Sequence, residues 1–310
     1  MKPFETYQYL AGEEMTPRDK TEVGSKFWNE GKWNNFVRPF LPERGDGLTF
    51  GDMGCNAGLF LSFAEEMGFS NVYGVDSNRE AVERGQDWAR SNNKRYSFFL
   101  MKMEDSLKYV PVTDYVVLAN AHYYFKIDDW LRFLDKLRTK ARFCIVVTTK
   151  KRPGNRCWAQ ADVENVRRYF KDWEEVGFID ALPVEGDPRP RHLYGFNFKS
   201  PLLERVKISD LDSGNHVQDK FYREIDGGNH YTMTKYYHII RKYRLEDRKD
   251  WDEAKLKKFF EDRVALYNDI QDMGLKDPII VDSSNKILDG NHRCQMLKHL
   301  GHESVIVRRV

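Results

Sequence analysis

From Leu48 onward, apolar and polar residues fall into blocks that predict strand, turn and helix in regular succession. Leu48–Met53 predicts a short strand, and a glycine-containing segment then leads into an apolar helix over Leu59–Met67. Asn71–Val75 predicts a second strand, followed by a helix through Glu80–Arg90 and a third strand over Tyr96–Met101. Asp114–Leu118 is nearly all apolar, the pattern of a strand buried on both faces. Asp129–Lys140 is amphipathic, and Phe143–Thr148 supplies a fifth strand. Alternation of this kind predicts an α/β fold, a Rossmann-like doubly wound and mostly parallel sheet with crossover helices. Trp173–Ile179 and His192–Phe198 are expected to add two more strands in antiparallel sense.

The flanking segments read differently. Residues 1–45 are polar and aromatic, and Phe27, Trp28, Trp33 and Phe36 have spacings compatible with one helix face, which predicts a helical N-terminal lid or packing segment. Pro188–Pro190 and the polar stretch Asp210–Gly228 punctuate the chain. Past them, Tyr236–Leu245 reads as extended, and Asp252–Asp272 as a helix with Leu256, Phe260, Val264 and Tyr267 on one face. Strands are expected at Pro278–Val281 and Lys286–Leu288, a helix over His292–Leu300 ended by Gly301, and a closing strand at Ser304–Val307. The expected division is therefore residues 1–45, residues 46–205, and a smaller α+β domain over residues 206–310.

Composition narrows the class. Hydrophobic residues at 41% and charged residues at 32% are globular values. The net charge is +2, and beyond residue 200 there are 20 Lys and Arg against 19 Asp and Glu, so no polycationic domain speaks for DNA. No apolar run approaches the roughly 20 residues of a membrane span, and Met1–Leu10 lacks the order of a secretory signal. Four scattered cysteines without C-x-x-C spacing argue against zinc and disulfide scaffolds and for reduced thiols in a cytoplasmic protein.

Candidate chemistry gathers first at Phe50-Gly51-Asp52-Met53-Gly54-Cys55-Asn56-Ala57-Gly58, between a strand and a helix. Gly54 and Gly58 permit a tight turn and close ligand approach. Asp76 ends the second strand, where an acid accepts both hydroxyls of a ribose. The G-x-x-x-G spacing, with Asn56 in between, departs from the G-x-G-x-x-G of dinucleotide enzymes. Over about Lys32–Lys199 the chain resembles the class I S-adenosylmethionine (SAM)-dependent methyltransferases, notably members reading D-x-G-C-N-x-G at this loop. The resemblance implies that Asp52 and the loop of Gly54, Asn56 and Gly58 border the methionine portion of SAM, and that Asp76 takes the ribose. It also implies that Glu104 or Asp105 contacts the adenine amino group, and that Asn120 to His122 face the sulfonium and the acceptor. His122 is then the expected general base, with a packing role equally open. His122-Tyr123-Tyr124-Phe125 is not the Asn/Asp-Pro-Pro-aromatic signature of amino-directed nucleic-acid methyltransferases, so a small-molecule or sugar-like acceptor is expected.

A second group stands near the end, at Ile287-Leu288-Asp289-Gly290-Asn291-His292-Arg293. Gly290 frees the backbone, helix N-terminal amides point outward, and His292 and Arg293 add donors, an arrangement suited to anions. Over about Tyr237–Val310 the chain resembles the ParB/sulfiredoxin-like domain, whose D-G-x-H-R turn implies nucleotide or phosphate binding by Asp289, Gly290, Asn291, His292 and Arg293. That resemblance brings in ATP or CTP with magnesium, Asp289 near the metal and an upstream acid such as Glu246 as base; no resident metal site of the chain's own is expected. Asn291 stands where sulfiredoxins carry their reactive cysteine, which argues against that activity, and Cys294 lies beyond the pair. The leading reading is a methyltransferase with a nucleotide- or phosphate-binding second domain, which would be bifunctional if that domain transfers phosphoryl groups. The alternatives are a nucleic-acid-modifying methyltransferase whose ParB-like part contacts DNA, and a non-catalytic regulator that senses SAM and nucleotide.

Overall fold

The computed structural model describes residues 30–122, 125–149, 162–183, 192–213, 217–248 and 250–310. The chain divides into two compact units, Met1–Leu203 and Glu204–Val310.

The first unit is built on a seven-stranded sheet of order β3-β2-β1-β4-β5-β7-β6. The strands are β1 (Thr49–Met53), β2 (Asn71–Asp76), β3 (Ser97–Leu100), β4 (Thr113–Ala119), β5 (Ala141–Thr149), β6 (Glu174–Pro183) and β7 (His192–Lys199). β1 to β5 run parallel, while β7 is antiparallel to both β5 and β6. Helices α1 (Leu59–Glu66), α2 (Arg79–Ser91), α3 (Met103–Ser106) and α4 (Ile127–Leu137) make the crossovers, and α5 (Val163–Tyr169) precedes β6.

Strand period and burial explain this sheet. Val116 and Leu118 enter one core with Cys144 and Val146, whereas Val117 enters the other with Ile145 and Val147. Successive residues of β4 and β5 thus bury on opposite faces, as central parallel strands require. Trp33, Phe36 and Val37, in a short π-helical turn ahead of β1, close the second of these cores. Phe27 and Trp28 lie outside the described residues.

The second unit has a four-stranded sheet of order β10-β9-β11-β8, with β8 (Leu203–Lys207), β9 (Ile279–Val281), β10 (Ile287–Asp289) and β11 (Ser304–Arg309). Its helices are α6 (Val217–Asp226), α7 (Lys235–Arg241), α8 (Glu253–Met273) and α9 (Asn291–His299). Two expectations are corrected here. The segment Tyr236–Leu245 is helical, with α7 running into a π-helical turn over Lys242–Asp247. Thr234 caps α7 by accepting the Tyr237 N–H at 3.1 Å, and Tyr236 packs its ring 5.4 Å from Phe221. Tertiary packing and a cap override the strand preference of tyrosine and isoleucine. The polar stretch Asp210–Gly228 holds α6, which buries Phe221 and Tyr222 against Phe260 and Tyr267 of α8. Among the described residues no helix is long and apolar enough to cross a membrane.

Candidate active site

β1 lies between β2 and β4, and β4 between β1 and β5, so the chain leaves these two neighbouring strands in opposite directions. A crevice outside the carboxyl ends of the strands at such a switch point is where open α/β sheets bind ligands. Gly54 (φ 87°), Asn56 (φ 51°) and Gly58 (φ 88°) form the exit loop of β1, and Asn120 (φ 57°) the exit of β4. Gly54 has a specific steric reason: a Cβ there would stand 2.7 Å from the Ala121 Cβ. Glycine therefore lets the two exits close on one another. Gly58 is the N-cap of α1 and offers no side-chain cap, so the first-turn amides of this helix have no side-chain acceptor at that position.

The loop is fastened to β2. Gly54 and Cys55 both donate their N–H to the Val75 carbonyl, at 2.7 and 3.1 Å. Asn56 N–H donates to Asp76 Oδ2 at 2.8 Å, and Asn78 N–H to Asp76 Oδ1 at 2.8 Å. A carboxylate has about four lone-pair sites, so Asp76 keeps capacity for ligand hydroxyls while holding the loop. Asp52 is buried, and its pKa is pushed up to about 8, first by burial and then by the charge of Asp76, with Lys32 opposing. Two acids at one strand edge make a place short of positive charge.

The other sequence-derived residues are distributed around this edge. Met101 N–H donates to the Asp76 carbonyl at 3.0 Å, so α3 begins beside Asp76, with Glu104 and Asp105 both exposed. Asn120 N–H donates to the Val147 carbonyl at 3.0 Å. His122 was expected as general base or as packing group, and its surroundings resemble the second. Its ring is fully buried, with Nε2 3.3 Å from Thr148 Oγ1 and the ring centroid 5.7 Å from that of Trp130. Burial pushes its pKa down to about 4. This enclosure suits the packing role that the sequence left as open as that of general base. Lys32, whose charge acts on Asp52 from the N-terminal segment, lies in no sequence motif.

In the second unit, Gly290 (φ 95°) is the N-cap of α9, again without a side-chain cap. Arg293 does not face outward as an anion donor. It donates to the carbonyls of Asp277 and Pro278, at 2.8 and 3.3 Å, and to Asp289 Oδ2 at 2.8 Å. Asp289 is exposed apart from that pair. His292 Nδ1 lies 2.7 Å from Gln218 Oε1, and burial pushes its pKa down to about 4. The Asn291 side-chain oxygen is buried with no hydrogen-bond partner. Glu246, the expected base, is exposed and pairs with Arg241 at 3.1 Å. Cys294 is buried and its thiol pushed up to about 11, which removes it from thiolate chemistry. Among the described residues no three His, Cys, Asp or Glu side chains form a metal-binding group.

Residues 51–142 match the model of a family described as a methyltransferase domain. That stretch runs from β1 to the start of β5 and contains Asp52, the glycine loop, Asp76 and Asn120. No curated protein matches the sequence. Among solved structures, TehB from Haemophilus influenzae aligns at 13% identity over 53% of this chain, with a TM-score of 0.43. The alignment spans 59% of TehB's own length. A SAM dependent methyltransferase from Aquifex aeolicus aligns at 17% identity over 55% of this chain and 93% of its own, with a TM-score of 0.42. Magnesium protoporphyrin IX methyltransferase from Synechocystis PCC 6803, solved with bound SAM, aligns at 14% identity over 61% of this chain and 86% of its own, with a TM-score of 0.44.

Proposed function

We propose that the first unit is a SAM-dependent methyltransferase acting on a small-molecule or sugar-like acceptor. The observation that carries this reading is the acid pair at the glycine loop: Asp52 is buried with its pKa raised to about 8, next to Asp76, at the switch point of the sheet. Such a site gains most from a ligand that brings positive charge, and SAM carries an ammonium and a sulfonium. Asp76, with both oxygens anchored by backbone amides, would receive the ribose hydroxyls, and Glu104 or Asp105 the adenine amino group. Gly54, Asn56 and Gly58 let the backbone reach the methionine portion, and Asn120 borders the transfer line. When bound, SAM supplies a methyl group already activated on sulfur. The protein's contribution is then alignment and exclusion of water. With His122 enclosed in the core, an acceptor that arrives as a competent nucleophile would need no help from it.

For the second unit, the reading is a ParB/sulfiredoxin-like module that binds a nucleotide or phosphate group, ATP or CTP included, at the Asp289–Arg293 turn. The uncapped N-terminus of α9 at Gly290 supports it.

The test of the first reading is competition. SAM and S-adenosylhomocysteine should each quench or shift the intrinsic tryptophan fluorescence of the protein, and displace one another. NAD should do neither, because the loop lacks the second glycine that lets a pyrophosphate approach. A response to NAD with none to SAM would overturn the proposal.

A further inference from the structure

Asp52 is a buried acid whose carboxyl lacks a donor. It is 2% exposed, and its neighbours across the sheet are Gly74 on β2 and Val117 on β4. Neither carries a polar side chain, and among the described residues no hydrogen bond reaches the Asp52 carboxyl. Asp76, by contrast, takes a backbone N–H on each oxygen, from Asn56 and Asn78 at 2.8 Å. Of the two acids at this strand edge, one is anchored and the other is bare. An enclosed carboxylate without donors is strongly unfavourable, and such a group keeps its proton instead.

The charges around it divide by element. Asp76 on β2 opposes ionisation of Asp52, and Lys32 on the N-terminal segment favours it. Lys32 is carried to this face of the sheet because Trp33, next to it, packs 5.8 Å from Phe50. Phe50 and Asp52 alternate onto the same side of β1. The Cys55 thiol in the exit loop is buried and pushed well up, so it stays neutral. Burial and Asp76 outweigh Lys32, and the Asp52 pKa stands at about 8.

The missing donors separate the two cationic groups that SAM would bring. A sulfonium has no hydrogen to give, whereas an ammonium has three and makes strong charge-assisted bonds to a carboxylate. We infer that the α-ammonium of the methionine portion enters beside Asp52 and drives the proton of that carboxyl out to solvent, so that each ligand bound releases one proton. This rests on reading the first unit as a SAM-dependent methyltransferase. The ammonium keeps its hydrogens, Asp52 becomes the carboxylate that accepts from it, and the expelled proton goes to the buffer. Affinity then rises with pH by about tenfold per unit at most while free Asp52 is protonated. The rise ends near pH 8, where Asp52 is already ionised before the ligand arrives and a free α-amino group begins to lose its own proton.

The experiment is calorimetric titration of the full-length protein at pH 6.5, in phosphate and in imidazole buffer, whose ionisation enthalpies differ. Free Asp52 and the ligand amino group are both protonated at that pH. The difference in observed enthalpy should report close to one proton released for SAM and for S-adenosylhomocysteine. Methylthioadenosine, which keeps the nucleoside and lacks the ammonium, should bind without release. Equal enthalpies for SAM in the two buffers overturn the coupling and leave the methyltransferase reading intact, whereas no SAM binding in either buffer overturns the reading itself. Release with SAM alone would move the coupling to the sulfonium, and release with methylthioadenosine would remove it from the amino-acid part; either result overturns the ammonium. Asp52→Asn should release no proton with SAM and keep its affinity for methylthioadenosine within about threefold. A proton still released by that variant overturns the assignment to Asp52. If the variant does not fold, the wild-type pH series carries the test, since an affinity for SAM that is flat from pH 6 to 7.5 overturns the inference.

Discussion

The two units each start a helix from a left-handed glycine, and the two glycines have similar backbone torsions. Gly58 has φ 88° and ψ 27°, and Gly290 has φ 95° and ψ 15°. Both follow a strand closely, and neither offers a side-chain cap. The side chains around them differ. Asp52 and Asp76 stand at the first turn, whereas the second carries Arg293 paired with Asp289, and a His292 that burial keeps neutral beside Arg263. The backbone of such a turn therefore prepares an approach for a ligand, and the charges on neighbouring elements choose which ligand. For the first turn that choice favours a cationic ligand.

The largest effect that separates the turns is steric. At Gly54 an added Cβ meets the fixed Ala121 Cβ at 2.7 Å, while at Gly290 it meets the movable end of Arg293 at 2.9 Å. Gly54→Val should cost about 3 kcal/mol or more in denaturant unfolding, and Gly290→Ala about 1–2 kcal/mol, mainly from its positive φ. Equal losses would break the argument that close approach of the β1 and β4 exits fixes the first turn. Next comes the pH dependence of Asp52. Its folded pKa of about 8 lies above the ordinary aspartate value of 3.8. Between these values the folded state holds a proton that the unfolded state has lost, so ligand-free stability falls as pH rises through this window. The slope from this group is at most about 1.4 kcal/mol per pH unit. Asp52→Asn should flatten that fall in melts from pH 5 to 8.5 and weaken SAM binding at the same time.

Histidines give a smaller signal of the opposite sign. His122 and His292 are both lowered from 6.5 to about 4 by burial. Each leaves the unfolded state more protonated between those values, so stability is complete above pH 6.5 and is lost toward pH 4. His122→Phe should flatten this acid limb by about 3 kcal/mol and leave SAM affinity within about threefold. A methyl-transfer rate whose pH profile changes in His122→Phe would favour the base role over packing. Smallest of all, Asn120→Gly should shift stability by under about 0.5 kcal/mol, since relief of its positive φ offsets the added chain entropy.

Legibility in the sequence followed burial. Val116, Val117 and Leu118 announce a strand enclosed on both faces, and Gly54 with Gly58 announce a turn, because each depends on neighbours in the chain. The helix over Lys235–Arg241 was hidden because its tyrosines and isoleucines suit a strand, and what decides the matter is Thr234 as cap and contact with Phe221. The helix at Val217–Asp226 was hidden because only the adjacent Phe221 and Tyr222 are fully buried in an otherwise polar run. At the first site, Asp76 stood out by its place at the end of the second strand, and Asp52 only through the family resemblance. Lys32 and Arg263 were not legible, since each acts on residues far along the chain, on Asp52 and on His292. The enclosure of His122 was equally invisible, because it depends on Thr148 and Trp130.

The most direct test of the central claim is calorimetric titration of the protein with SAM beside Asp76→Ala. The account predicts saturable binding by the wild type. It predicts a loss of about a hundredfold or more in the variant, which lacks both the expected ribose acceptor and the anchor of Asn56. Binding of SAM that Asp76→Ala leaves unchanged, or no binding by a folded wild type, would contradict it.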